Sequence, residues 1–211
     1  MMSGPISESP SVQIREHKDY EGSKLGMWLF LFTEIILFGG LFILYSAYRS
    51  RYPNEFHQGG QELDTVIGVA NTVILLTSSL TMALAIAAIQ RGNRRLSILC
   101  LSTTIIFGIV FLIDKYVEWS GEIHHGLYPN ASRLLQEPHG IQIFFGLYYS
   151  MTGLHAIHVS AGVILLTCML TFLIRGKISQ SNFNRLENSG LYWHLVDVIW
   201  IFLLPLFYLA A

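Results

Sequence analysis

Three pairs of polar residues stand three positions apart, the spacing that puts two side chains one turn apart on a helix: Lys115 with Glu118, His155 with His158, and His194 with Asp197. Two neutral imidazoles and a carboxylate form a ligand set for a transition metal, and the same groups can relay a proton. A fourth group, Glu34, is the one acid in a long apolar run. An isolated carboxylate in such surroundings is either protonated or paired to a partner or a lipid head group, and it is a functional candidate by default. The competing reading gives the histidines a positional task, because intramembrane polar side chains commonly bond one helix to another. With no further ligand cluster in the chain, that reading is preferred for His155, His158, His194 and Asp197, with His194 held by Asp197 or by a carbonyl opposite. Lys115 and Glu118 read as an interfacial ion pair. Beyond them, Glu122-Ile123-His124-His125 contains one Glu-x-x-His. Di-iron carboxylate bundles use two such motifs and further glutamates, so a chance occurrence or an outer-surface contact is expected here instead.

The elements that position these groups follow from composition. The 211 residues are 52% hydrophobic and 13% charged, with a mean hydropathy of +0.48, and the charged share is about half that of a soluble domain. A membrane-spanning helix takes about 20 mostly apolar residues, and five runs qualify, approximately 25–48, 65–90, 95–118, 140–174 and 191–210. The expected fold class is therefore all-α, a polytopic membrane bundle of five transmembrane helices over residues 25–211, preceded by a polar cytoplasmic tail over residues 1–24. That tail has no short apolar core, so no cleavable signal is expected. The connectors are short and polar except for Ser120 to Gly140, where Gly121, Gly126 and Pro129 argue against a continuous helix. Cys100 and Cys168 lie inside apolar runs, which fits neither a disulfide framework nor a thiolate zinc site. The net charge is −1 and no basic stripe for nucleic acid is present.

Orientation comes from where Lys and Arg fall. The tail and the second and fourth connectors hold Arg15, Lys18, Lys24, Arg91, Arg94, Arg95, Arg175, Lys177 and Arg185; the first and third hold Arg49, Arg51, Lys115 and Arg133. Nine against four places the N-terminus inside, and five spans then place the C-terminus outside. Along that axis Glu34 falls near mid-membrane, His155 and His158 in the middle or inner half, His194 and Asp197 in the inner third, and Glu118 near the outer surface. Small residues, among them Gly146, Gly153 and Gly162 on the fourth span, allow close helix approach.

Taken in order, these segments resemble subunit III of the haem-copper oxidase family, the cytochrome c and quinol oxidases, in a short five-helix bacterial form. Gly26-Met27-Trp28-Leu29-Phe30 followed by Glu34 is similar to the family's first motif, and Asn71-Thr72 with Ser78-Ser79 to its second. Lys115 to Trp119 matches a Glu-aromatic helix end, with Trp119 where Tyr is commoner. Thr152-Gly153-Leu154-His155-Ala156-Ile157-His158-Val159 and Tyr192-Trp193-His194-Leu195-Val196-Asp197 resemble the two most specific motifs. The resemblance implies a non-redox accessory subunit in a bacterial cytoplasmic membrane. Its main contact would be oxidase subunit I, with other oxidase subunits and phospholipid as further partners. Haem and copper would reside in the partner subunits, and this chain would hold neither a catalytic centre nor a cofactor of its own. Glu34, Glu118, His155, His158, His194 and Asp197 would be structural or lipid-related. Two rival readings have their own tests. An accessory protein of a nitric oxide reductase shares the five-helix form. A stand-alone metal-binding enzyme or transporter would use His155, His158, His194 and Asp197 as ligands.

Overall fold

The computed structural model describes the backbone of residues 10–180 and 182–209, with side chains from Gly22 onward. The first nine residues of the expected tail lie outside the described residues. The helices are α1 (Pro10–Arg51), α2 (Pro53–Gln61), α3 (Thr65–Gln90), α4 (Arg94–His124), α5 (His139–Ile174) and α6 (Asn184–Leu204), with a 3-10 turn at Leu134–Gln136 and a π-helical turn at Pro205–Leu209. Five helices are long and apolar enough to cross a membrane: Gly22–Arg51 within α1, α3, α4, α5, and α6 with its π turn.

Their ends are written in the sequence. Asp64 caps α3, its carboxylate accepting from Val66 N at 2.8 Å and Ile67 N at 3.3 Å, and Asn93 caps α4 through Leu96 N at 3.2 Å. Three spans stop at a glycine in the left-handed region: Gly92, Gly126 and Gly176 have φ of 76°, 72° and 74°. Behind each, the following amide reaches back five residues, as Asn93 N to Ala88 O, Leu127 N to Glu122 O and Lys177 N to Phe172 O. This satisfies carbonyls that the helix end would otherwise orphan. Arg94 completes the end of α5, donating Nε to Leu173 O at 3.0 Å and a terminal nitrogen to Ile174 O at 2.5 Å. Helix α4 thus runs through Gly121 and stops at Gly126, one and a half turns beyond its expected end.

Helices α3, α4, α5 and α6 form a closed ring in which each packs on its two neighbours. Trp193 is the peg at its centre. Its ring lies where a Cβ on Gly108 of α4 or on Gly162 of α5 would stand, at 2.7 and 2.8 Å. Its Nε1 donates to Ser78 Oγ on α3 at 3.1 Å, and two turns on, Trp200 Nε1 donates to Thr72 Oγ1 at 3.0 Å. One face of α6 therefore stitches the bundle together. Helix α1 lies outside this ring against α5 and α6. It buries Leu31, Phe38 and Tyr45, one residue every seven, and leaves Trp28, Phe32, Ile36 and Ile43 exposed. Only 11% of its apolar window is buried against 50% for α6, so most of its surface is free to meet lipid or another subunit. The short α2 folds back over one end, where Phe56 packs edge-on against Tyr45 and Phe144.

Candidate functional site

The polar groups within the spans sort into three places. The first is a cage in the ring's interior. Lys115 and Glu118 of α4 have side chains 3% and 2% exposed and form an ion pair at 2.9 Å. The expected ion pair is buried within the bundle, because α4 turns both residues inward, onto α5 and the π turn. Lys115 Nζ also donates to the hydroxyls of Tyr208, at 2.9 Å, and Tyr148, at 3.3 Å. Both hydroxyls donate in turn to Glu118 Oε1, Tyr148 at 2.5 Å. The ammonium lies 5.1 to 5.5 Å from the ring centroids of Trp200, Tyr148 and Tyr208, within cation–π range. A buried ion pair is tolerable only when its remaining donors and acceptors are satisfied, and two phenols supply that here.

The second place joins α1 to the ring. His158 Nε2 lies 2.9 Å from Glu34 Oε2, and His158 Nδ1 lies 2.8 Å from Leu154 O. A carbonyl only accepts, so Nδ1 carries a hydrogen. Nε2 then either donates to a carboxylate as an imidazolium or accepts from a protonated Glu34. In both forms one proton is shared across the contact and the pair is neutral overall, which is what an apolar setting requires. Phe38 packs edge-on against the same imidazole at 5.4 Å.

The third place lies between α3 and α6. His194 Nδ1 is 2.6 Å from Ser79 Oγ. The partner is thus a hydroxyl of the second span, and neither Asp197 nor an opposing carbonyl holds this nitrogen. Asp197 is buried with neither carboxylate oxygen in a hydrogen bond of good geometry, and the Ser79 side chain lies within its reach. His155 is fully buried between Phe111 at 5.6 Å and Trp200 at 5.2 Å, with both ring nitrogens unpartnered. The four residues of the metal reading thus turn to different neighbours. Among the described residues, no group of three or more His, Cys, Asp or Glu is placed to hold a metal ion. Of the Glu-x-x-His, Glu122 turns inward while His125, capping α4, accepts Arg133 at its carbonyl at 2.7 Å.

Sequence spacing did not reveal Tyr148, Tyr208 or Trp200 as partners of the cage. Tyr148 stands seven residues before His155 and so shares its face, which is the one signal available. Tyr208 follows Pro205, where a π turn, not a kinked α-helix, aims it back into the ring.

Fold and site together define a polytopic all-α membrane protein in which polar side chains bond one helix to another. The family model for cytochrome c oxidase subunit III matches residues 8–211, and the chain belongs to that family. Among relatives, cytochrome c oxidase subunit 3 of Synechocystis sp. is 33% identical over 185 residues, 87% of this chain and 74% of that protein. The probable quinol oxidase subunit 3 of Staphylococcus saprophyticus is 29% identical over 93% of this chain and 94% of its own length. The heme-copper oxidase subunit I+III of Aeropyrum pernix is 30% identical over 92% of this chain, which spans 24% of that longer protein.

Proposed function

We propose that this chain is the accessory, non-redox subunit III of a proton-pumping terminal haem-copper oxidase in a bacterial cytoplasmic membrane. It stabilises the catalytic subunit I and sustains that subunit's proton uptake, while haem and copper belong to its partners. The observation that carries this reading is the family match along nearly the whole chain. The Aeropyrum relative, whose name joins subunits I and III in one polypeptide, supports subunit I as the main contact. The exposed face of α1 supplies apolar surface for such a neighbour. The charge asymmetry supports an inside N-terminus, and burial of Lys115 sharpens it: Arg49, Arg51 and Arg133 are then the cations left at the opposite end.

Phospholipid is the second partner. A groove of about 580 Å³ between the ends of α1 and α6 has Arg49 with Ser46 and Ser50 at its rim and Phe42, Pro205 and Leu206 as its trough. A cation above an apolar trough matches a phosphate head group above its acyl chain. The assembly is tested by affinity purification in mild detergent with haem spectroscopy and peptide identification. A haem-bearing large subunit is expected to accompany the chain in fixed ratio, and a stable haem-free complex would overturn the reading.

A further inference from the structure

Among the described residues, four side chains inside the bundle have polar atoms without a protein hydrogen bond of good geometry: Glu122 Oε2 on α4, both amide atoms of Asn71 on α3, both nitrogens of His155 on α5 and both carboxylate oxygens of Asp197 on α6. All four residues are more than nine-tenths buried. Buried polar atoms in proteins are nearly always bonded, to protein or to bound water, and in a membrane the alternative is hydrocarbon. Bound waters within proteins fill this role, each making about three hydrogen bonds to otherwise unsatisfied groups.

The first three of these residues surround the Lys115–Glu118 cage. On the outer side, Glu122 stands one turn beyond Glu118 and lies within electrostatic range of Glu118, Lys115 and Glu62. Glu62 lines a polar pocket of about 200 Å³ with Gln58, Gln61, Arg133 and Glu137, open at the bundle end that carries Arg51 and α2. The Tyr149 hydroxyl, also unpartnered, lies within range of both Glu122 and Glu118. On the inner side, the Trp200 ring is common to Lys115 and His155, 5.1 Å from the ammonium and 5.2 Å from the imidazole. Asn71 lies one turn from Gly68, which packs on the Tyr208 ring.

We propose that this interior is a water-binding site: bound waters run from the Glu62–Glu137 pocket past Glu122 to the Lys115–Glu118 cage and on to His155 and Asn71. The buried pair thereby exchanges protons with the aqueous phase at that end of the bundle instead of being sealed from it. The titratable groups facing this seam are Glu62 just past the end of α2, Lys115, Glu118 and Glu122 from α4, Tyr148, Tyr149 and His155 from α5, and Tyr208 from the π turn. Helix α3 contributes only the neutral Asn71. The inference concerns this chain's interior and stands apart from which complex the chain joins.

Proton-detected solid-state NMR of the full chain in lipid bilayers tests it without a substitution. Leu154-His155 is the only Leu-His pair in the sequence, so carbonyl-13C leucine with uniformly 15N-labelled histidine singles out His155. Expected are a hydrogen-bonded ring nitrogen and polarisation transfer from water to it. A ring with no water transfer and the shift of an unbonded imidazole overturns the proposal. In a second arm, Glu122→Leu is expected to slow water exchange at His155 several-fold while Glu122→Gln preserves it. Unchanged exchange in Glu122→Leu overturns the assigned route.

Discussion

At Lys115 and Glu118 two opposite charges are withdrawn from bulk solvent and from lipid, so each residue depends on the other more than the protein depends on the pair. Removing one partner from a buried pair leaves an uncompensated charge and costs about 3–5 kcal/mol, whereas replacing both by apolar groups is often neutral or better. Lys115→Met and Glu118→Leu should therefore each lower thermal stability in detergent. The double variant should lose clearly less than the sum, measured as a double-mutant cycle; additive losses would contradict the mutual dependence. Glu34 and His158 behave differently because one shared proton already neutralises them. Glu34→Gln keeps a donor for His158 Nε2 and should be mild, while Glu34→Leu strands that nitrogen and should cost about 1–3 kcal/mol. The same denaturation series measures both, and equal losses would count against the shared-proton contact. Residue spacing correctly marked these groups but misjudged their company. Positions three apart on a helix differ by about 60° in direction, and on a helix packed from several sides that angle suffices to turn His155 into the ring and His158 toward α1.

At the scale of elements, the spans were legible because length and hydropathy alone specify them, and the glycines after α3, α4 and α5 punctuate them. The short α2 and the Leu134–Gln136 turn were not, since neither carries an apolar run long enough to register. The extension of α4 past Gly121 escaped for a related reason. A glycine within a helix is tolerated, and only the φ at Gly126 tells which glycine is the stop. Close packing makes a further prediction at this scale. Gly162 faces the Trp193 ring with no room for a Cβ, and overpacking of this sort costs about 1–3 kcal/mol. Gly162→Val should destabilise the bundle, and Trp193→Phe in the same chain should recover part of the loss in thermal unfolding. No recovery would mean that the tryptophan peg does not set the spacing of α4 and α5.

For the whole molecule, the ring of four helices and the loosely attached α1 give two surfaces of unlike character: a stitched interior and an apolar flank. The groove where they meet carries Arg49. Arg49→Gln is expected to lower the amount of phospholipid retained through purification, read by phosphate analysis or native mass spectrometry, with little change in thermal stability. Unchanged lipid content would remove that groove from the account. The membrane bundle was legible in the chain because hydropathy is a sum over many residues and survives local error. The cage was not, because its members come from α4, α5 and the π turn and meet only after the ring closes.

That last point bears on biosynthesis. Ribosomal order delivers α4 before α5, and α5 before the turn that holds Tyr208. A helix whose lysine and glutamate have only each other as partners is poorly received by lipid, and the second phenol arrives only with residue 208. A chain that ends before Tyr208 leaves the Lys115–Glu118 pair without one of the two phenols that satisfy it.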